Sequence, residues 1–137
     1  MVNTKKLKAM KKLNERSLAN LEGVHPYMQR LMNAAAANCP VDYVITEGVR
    51  NVKRQQELYA RGRTKPGKVV TNVDGIKIKS NHQPKDDGFG YAVDLYPCIN
   101  GRVEVNDVEN LKKIGEHIKK VARELGINIE WGGEWKM

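Results

Sequence analysis

The sequence lacks any apolar stretch long enough to cross a bilayer, and it has few aromatic residues and only two cysteines. A transmembrane helix needs about 20 predominantly apolar residues, so we expect no membrane span. The lysines from Lys5 to Lys12 are not followed by an apolar segment, which is not the pattern of a secretory signal peptide. We therefore expect the protein to stay in the cytoplasm until it is released by other means.

The low aromatic content, 6% of 137 residues, offers no obvious surface on which nucleic-acid bases would stack. The formal net charge of +8 nevertheless favours polyanionic partners, namely nucleic acid, an anionic membrane or an anionic cell wall. Because the lysines are spread along the chain rather than clustered, nucleic acid is the least favoured of these partners. A small basic nucleic-acid binder is a hypothesis that rests on charge alone.

The two cysteines, Cys39 and Cys98, lie far apart and lack the CxxC spacing of many metal and redox sites. We expect them to be small buried apolar side chains. Nothing in the pattern requires a disulfide, and nothing excludes one.

The length and a hydrophobic content of 40% predict one domain, residues 1–137, in which a basic N-terminal helix (within 1–20) is included. Apolar spacings of three and four predict helices, whereas β-branched and aromatic runs predict strands. The predicted helices cover residues 4–20, 26–39, 51–61 and 107–125, and the predicted strands cover 42–46, 91–96 and 127–131. Asn100-Gly101 has the composition of a tight hairpin turn.

The predicted strand from Tyr91 to Tyr96, which Pro97 is expected to end, follows the long irregular segment 62–90. Irregular segments of this length in a compact domain often carry function. Because alternate side chains of a strand point to opposite faces, Asp94 would face a cleft while its neighbours face the core.

His82 lies in the long loop, and Asp94 lies in the strand that follows it. Imidazole and carboxylate are suitable zinc ligands, and a catalytic zinc site uses three protein ligands with one open position for water. Gly88 and Gly90 would allow the loop to turn tightly beside the strand. By residue type alone, a hydrogen-bonded structural histidine and a solvated aspartate are the simpler explanation.

The segment Ser80-Asn81-His82, followed by Gly90-Tyr91-Ala92-Val93-Asp94-Leu95, resembles the S-x-H and G-x-A-x-D signature of a zinc peptidase family. That family comprises D-alanyl-D-alanine carboxypeptidases and dipeptidases and the L-alanyl-D-glutamate endopeptidases of phage endolysins. Further segments look like phage members in the same order: Val24-His25-Pro26, Thr46-Glu47-Gly48-Val49-Arg50, Arg54-Gln55, Thr71-Asn72-Val73-Asp74-Gly75 and Trp131-Gly132-Gly133-Glu134-Trp135. The resemblance implies the α+β fold of DD-peptidases and hedgehog-like domains, a small antiparallel sheet with helices on one side and a groove on the other.

The resemblance also implies roles for individual residues. His82 and Asp94 correspond to two of the three ligands of a Zn²⁺ ion. Arg50 corresponds to the arginine that contacts the substrate and stabilises the scissile carbonyl as it gains negative charge. Ser80 is expected to hold the His82 loop or to contact substrate, and Glu47 to support the site. Without the resemblance these three would be a surface arginine, a turn hydroxyl and a solvated loop carboxylate.

One departure from the family pattern lies in the loop, which Gln83-Pro84-Lys85-Asp86-Asp87 lengthens between the two expected ligands. We expect Asp86 and Asp87 to be solvated. Their participation in the metal site is the less favoured alternative, since zinc sites use few ligands.

The second departure lies at the C-terminus. The family continues past its Trp-Gly-Gly segment to an acid that acts as general base and a histidine that is the third ligand, whereas this sequence ends at Lys136-Met137. We expect none of His25, His117 and Glu134 to replace them. The resemblance is therefore to a C-terminally shortened member, which is either a shortened form of an active enzyme or a remnant with weak metal binding and little turnover.

Two functions of different classes follow from these observations. The first is a zinc-dependent peptidase that cleaves peptidoglycan stem peptides, either as an L-alanyl-D-glutamate endopeptidase or as a D-Ala-D-Ala carboxypeptidase. The second is an inactive cell-wall-binding or degenerate prophage protein of the same fold. The basic charge suits an anionic cell wall, and the absence of a signal peptide suits a phage protein released through a holin lesion.

Overall fold

The computed structural model describes residues 12–132 and has an α+β fold. Its elements in chain order are α1 (Glu15–Leu21), α2 (Pro26–Asn38), β1 (Tyr43–Glu47), α3 (Val52–Ala60), β2 (Asp94–Ile99), β3 (Arg102–Val103) and α4 (Val108–Leu125). The α+β class with a small antiparallel sheet is therefore confirmed. No helix within residues 12–132 is long and apolar enough to span a bilayer.

The helices begin and end at capping residues. The side chains of Asn51 and Asp107 accept hydrogen bonds from first-turn N–H groups of α3 and α4. Pro26 occupies the first turn of α2, where its missing N–H is not needed. Gly126 ends α4 in the left-handed conformation, with φ of 71°. These signals explain why the predicted bounds of α2, α3 and α4 agree closely with the structure.

The first helix is shorter than predicted within the described residues. Residues 12–14 are not helical, and α1 begins at Glu15 because Asn14 Oδ1 accepts a hydrogen bond from Ser17 N at 2.8 Å. The prediction of one continuous helix over 4–20 is therefore wrong at residues 12–14. Its earlier part, residues 4–11, lies outside the described residues.

The sheet is antiparallel, with strand order β1–β2–β3. Ile45 of β1 lies opposite Leu95 of β2, and both side chains are buried. Asn100 (φ 52°) and Gly101 (φ 80°) form the predicted tight turn between β2 and β3, since both have the positive φ that such a turn requires. Alternation along β2 leaves Asp94 less buried than Leu95, as expected for a residue at a cleft.

The prediction of a strand over 91–96 is wrong at its beginning. Tyr91 N donates to Asn81 O at 2.7 Å, so this part of the backbone is bonded to the preceding loop rather than to a strand. The strand begins only at Asp94, which lies opposite Glu47 beside an irregularity in β1. The irregularity accommodates an extra residue on β1 at the point where the site is built.

The same prediction is wrong at the end of the strand, because Pro97 lies inside β2 and not after it. Proline has no N–H to donate to a neighbouring strand, which normally confines it to strand edges and irregularities. Here the Pro97 carbonyl accepts a hydrogen bond from Glu104 N at 2.8 Å. Cys98, the next residue, donates from its backbone N–H to Asp42 O at 2.8 Å. The buried ring adds apolar contact area, so the strand continues to Ile99.

The predicted last strand, residues 127–131, is not a strand in the structure. Its alternating apolar residues, Ile127, Ile129 and Trp131, pack instead against the edge of the hydrophobic core. Gly115 of α4 makes room for the indole ring, because a Cβ at position 115 would overlap Trp131. The segment therefore forms part of a groove wall and has no strand partner among the described residues.

The core lies between the helices α2 and α4 and one face of the sheet. Its largest fully buried side chains include Leu31 of α2, Ile45 of β1, and Ile114 and Ile118 of α4. Cys39 is also buried there, as expected, whereas the same expectation is wrong for Cys98, which is only partly buried near the end of β2; no disulfide joins the two within the described residues. Burial of apolar area of this kind is the main driving force for folding.

Tyr43 provides a test of this core. Its hydroxyl donates to Met32 O at 2.6 Å in a buried position, and burial raises the pKa of Tyr43 far above its usual value. The folded state therefore holds the proton more tightly than the unfolded state, whose tyrosine ionises near pH 10. Stability from this group is complete below about pH 10 and is lost as the pH rises further.

We expect Tyr43→Phe to lower the free energy of unfolding by about 1 kcal/mol at pH 7. The variant should also lose less stability than the parent between pH 9 and about pH 11, because the ionisable group is gone. Denaturant unfolding of the two proteins at pH 7, at pH 9 and at about pH 11 measures both differences in the free energy of unfolding. Equal pH dependence in the two proteins would show that Tyr43 does not determine alkaline stability.

Candidate active site

The site forms where the loop that carries His82 meets the start of β2 and the segment between β1 and α3. Ser80 Oγ accepts from His82 N at 3.1 Å, and Ser80 N donates to Gln83 Oε1 at 2.8 Å. Gln83 Nε2 in turn donates to Gly75 O at 3.1 Å. These bonds fix a compact turn around His82. Of the two roles expected for Ser80, support of the loop is visible in the structure, while contact with substrate stays a prediction.

The His82 ring has a defined orientation. Its Nδ1 lies 2.8 Å from Gly48 O, and because a carbonyl can only accept, Nδ1 carries the proton. Nε2 lies 3.5 Å from Asp94 Oδ1. The side chain of His82 is 11% exposed and that of Asp94 is 41% exposed, so the pair has a solvent-accessible side. The structure thus brings together the two residues that the sequence predicted to converge.

The 3.5 Å separation fits a shared metal ion. Two ligand atoms on tetrahedral zinc, each at about 2.0–2.2 Å, lie about 3.3–3.5 Å apart. With Nδ1 protonated, a neutral His82 presents its Nε2 lone pair to a carboxylate oxygen, and a cation between the two atoms stabilises that arrangement. A hydrogen-bonded carbonyl behind a ligand histidine is the usual support of such sites. No group of three metal-binding side chains occurs within residues 12–132, so the ligand roles stay predictions.

Gly48 connects this histidine to the first helix. An added Cβ at position 48 would overlap the backbone carbonyl of Asn20 in α1, so glycine is needed for the close approach. Asn20 Nδ2 donates to Ile45 O at 2.8 Å and holds α1 against β1. The carbonyl that orients His82 is therefore positioned by direct packing against α1.

Arg50 lies beside the pair and contacts it through Asp94. Its Nη2 lies 2.7 Å from Asp94 Oδ2, and its Nε lies 2.9 Å from Glu47 Oε1, an ion pair without good hydrogen-bond geometry. Glu47 also pairs with Arg54, at 3.2 Å. The Arg50 side chain is 12% exposed and so is not the surface arginine of the alternative interpretation. Glu47 has the supporting position that the resemblance implied.

Asp94 is held in its charged form. Partial burial alone would raise its pKa. Without a metal, a His82 ring that carries protons on both nitrogens donates a hydrogen bond and positive charge to Asp94, and together with Arg50 it lowers the pKa of Asp94 below its usual value. An ionised carboxylate is the form that binds a metal.

Gln55 was given no role by the sequence analysis, although it is fully buried beside the site. Its Oε1 accepts from Arg50 Nη1 at 3.3 Å, and its Nε2 donates to Val73 O at 2.7 Å and lies 3.3 Å from Thr71 Oγ1. Gln55 thereby joins the arginine to the long loop. The only sequence signal was its place in the Arg54-Gln55 segment shared with the family.

The remaining candidates serve other purposes. His25 Nδ1 accepts from Tyr27 N at 3.1 Å and caps α2, whereas His117 Nε2 lies 3.0 Å from Ala35 O. Asp87 accepts from Phe89 N at 3.0 Å and from the Tyr91 hydroxyl. None of these side chains forms a metal-binding group with the pair in the described part of the chain.

A groove of about 870 Å³ opens next to the pair. His82 and Asp94 line it together with an aromatic wall formed by His25, Tyr27 and Tyr91. Residues 126–132 and apolar side chains such as Leu111 and Ile118 also line it. A volume of this size accommodates a short peptide.

The family model for phage L-alanyl-D-glutamate peptidases matches residues 9–137. The peptidoglycan L-alanyl-D-glutamate endopeptidase CwlK of Bacillus subtilis is 36% identical over 121 residues, covering 82% of this chain and 67% of that protein. The L-alanyl-D-glutamate peptidase of Escherichia phage T5 is 28% identical over 124 residues, covering 90% of this chain and 81% of that protein.

Among solved structures, the L-Ala D-Glu endopeptidase ChiX of Serratia marcescens superposes with a TM-score of 0.70 at 31% sequence identity. The match covers 93% of this chain and 83% of that chain. The family expected from the signature around His82 and Asp94 is therefore confirmed, as is its classification among peptidases. This chain belongs to the phage L-alanyl-D-glutamate peptidase family.

Proposed function

We propose that this protein is a zinc-dependent peptidoglycan peptidase that hydrolyses the bond between L-alanine and D-glutamate in stem peptides. The observation that carries the proposal is the 3.5 Å approach of His82 Nε2 to Asp94 Oδ1 at the floor of a peptide-sized groove. The names of the relatives support the L-alanyl-D-glutamate bond over the D-Ala-D-Ala bond, which was the other expected target.

His82 and Asp94 are the residues that would hold the zinc ion. Bound zinc polarises a carbonyl and lowers the pKa of a coordinated water towards neutrality. The protein's own contribution is orientation. The Gly48 carbonyl selects the histidine tautomer that leaves Nε2 available, and Arg50 holds the Asp94 carboxylate through Oδ2 so that Oδ1 remains available.

Arg50 would bind the scissile carbonyl oxygen as negative charge develops there. In the present structure its guanidinium contacts Glu47, Gln55 and Asp94 and does not line the groove, so it would have to turn from Asp94 towards the substrate carbonyl. Positive charge held at a developing oxyanion in a site that excludes water is among the largest contributions to catalysis.

A second candidate function is binding to the cell wall without catalysis. It is favoured by one observation: residues 12–132 provide two side chains at the site, whereas a catalytic zinc site uses three. The net charge of +8 would support adsorption to an anionic wall in either case. The phage relatives favour a protein of phage or prophage origin that reaches the wall after release from the cytoplasm.

Digestion of purified sacculi tests the proposal. The chain is stripped of metal with a chelator, reloaded with zinc and incubated with sacculi, and released products are identified by mass spectrometry. We expect zinc-dependent products that begin with D-glutamate. Release of free D-alanine would identify the carboxypeptidase activity instead.

Binding to sacculi without release of peptides would support the second function. The control is a variant extended at its C-terminus by an acidic residue and a Pro-His segment, which would supply the general base and the third zinc ligand of the family pattern. If the extended variant cuts sacculi and the zinc-loaded chain of 137 residues does not, the proposal of activity for this chain fails.

A further inference from the structure

We propose that Lys85 is a specificity-determining residue that binds the free α-carboxylate of the D-glutamate following the scissile bond. This inference rests on the proposed function and goes beyond it, because it names the substrate group that the groove recognises. Lys85 belongs to the five residues that lengthen the loop relative to the family pattern.

The lengthened loop is ordered by its own hydrogen bonds. Lys85 N donates to Phe89 O at 2.9 Å, and Gly88 N donates to Lys85 O at 2.8 Å. Gly88 has φ of 84°, a conformation that favours glycine and closes the turn. Lys85 therefore projects from a defined turn at the edge of the groove, which its side chain lines together with His82 and Asp94.

The ammonium group is positioned by the aromatic wall. Lys85 Nζ lies 4.7 Å from the centre of the Tyr91 ring, a distance typical of a cation–π contact. Tyr91 is itself held at both ends, by the bond from its N–H to Asn81 O and by the bond from its hydroxyl to Asp87. The charge is thus kept over the groove wall without being neutralised.

The groove lining also contains the carboxylates of Asp94 and Glu130, so an anionic substrate group is favoured only beside the lysine. Lys85 is the only lysine or arginine that lines the groove within residues 12–132. No carboxylate of the described residues forms an ion pair with it, whereas Arg50 and Arg54 are paired with acids. A cation without an acidic partner, next to a peptide-sized groove, is available to a carboxylate ligand.

The substrate chemistry supplies such a carboxylate. A D-glutamate joined to alanine through its nitrogen has two carboxyl groups, and the stem peptide continues through one of them, so the other remains free next to the cleaved bond. Tyr91 precedes Asp94 by three residues, which limits the distance between their Cα atoms to about 10 Å. Lys85 and the His82–Asp94 pair line the same groove, so the proposal places the free carboxylate at the lysine when the scissile bond lies at the pair.

Peptides that differ at single carboxyl groups test this assignment. L-Ala-γ-D-Glu-L-Lys is compared with its D-isoglutamine counterpart, in which the α-carboxyl is an amide, and with a peptide amidated only at the terminal lysine. Both kcat/KM and the equilibrium dissociation constant are measured by hydrolysis and calorimetry, for the zinc-loaded parent, Lys85→Met and Lys85→Arg. Lys120→Met is the matched control, since Lys120 is exposed on α4 and does not line the groove.

We expect kcat/KM and the binding affinity of the parent to be about tenfold or more higher for the D-glutamate peptide than for the D-isoglutamine peptide. A difference of this size corresponds to one hydrogen bond between charged groups. Lys85→Met should lose this preference, mainly through KM and the dissociation constant, while Lys85→Arg and Lys120→Met retain it. A preference that survives in Lys85→Met overturns the assignment. The assignment is also overturned if Lys85→Met loses only the discrimination against the peptide amidated at its terminal lysine. In that case Lys85 recognises the C-terminal carboxylate and not the α-carboxylate of D-glutamate.

The proposed function and this inference fail in different ways. If the parent cleaves none of the peptides, the proposed function is wrong, while calorimetry still tests the lysine. Selective binding of the D-glutamate peptide that Lys85→Met abolishes would then support the assignment, and equal binding of both peptides would refute it.

Discussion

Replacement of His82 by alanine is expected to lower kcat/KM on peptidoglycan by more than about 100-fold, a larger loss than removal of a group that only orients a metal ligand. Nε2 of His82 is one of the two proposed ligand atoms in the described part of the site, and Asp94 alone would hold zinc weakly. Zinc affinity, measured by calorimetry, should fall together with activity.

The stability of this variant needs a separate check, because the Gly48 carbonyl loses the Nδ1–H that it accepts. His82→Gln is the variant for this check, because the glutamine amide can still donate a hydrogen bond to the Gly48 carbonyl and has a polarity similar to that of histidine. His117→Gln is the matched control, because His117 contacts α2 and not the metal-binding pair. Zinc affinity that is unchanged in a folded His82→Ala protein would remove His82 from the ligand set.

Arg50→Met is expected to lower kcat by about 10²–10³-fold with a smaller change in KM, as is found when one donor to a developing oxyanion is removed. The methionine retains the apolar length of the side chain and removes the charge that we propose acts on the scissile carbonyl. Hydrolysis of the tripeptide over a range of concentrations separates the two parameters.

Arg54→Met is the matched control for this prediction. Arg54 shares the Glu47 carboxylate with Arg50, at 3.2 Å, but it forms no ion pair with Asp94. A loss of similar size in both variants would indicate that the arginines act only by neutralising Glu47. Arg50→Lys should recover part of kcat, since it restores the charge without the planar fork.

The part of the site that could be predicted from sequence is the part encoded in short motifs. The Ser80–His82 and Gly90–Leu95 segments identified the two side chains that converge, and period-two alternation placed Asp94 away from the core. The helix bounds followed from local caps such as Asp107 and Gly126, whose effect depends only on neighbouring residues.

The errors arose where structure depends on distant partners. Residues 127–131 have the alternation of a strand, but alternation does not supply a neighbouring strand, and the segment packs on α4 instead. Pro97 would normally end a strand, yet its position in β2 is compatible with the absence of an N–H. Gln55 was missed because no local pattern reveals that a polar helix residue is buried against a remote loop.

The absent side chain of Gly48 has a consequence for the N-terminal part of the protein. Gly48 packs against the Asn20 carbonyl of α1, and the carbonyl of Gly48 accepts the hydrogen bond from His82 Nδ1–H. The imidazole and α1 therefore contact the same short stretch of main chain. The first helix, although it contributes no chemical group, therefore belongs to the scaffold that sets the tautomer of the histidine. Detachment of α1 would leave His82, Asp94 and Arg50 in place in the sequence, but the His82 ring would lose its fixed orientation.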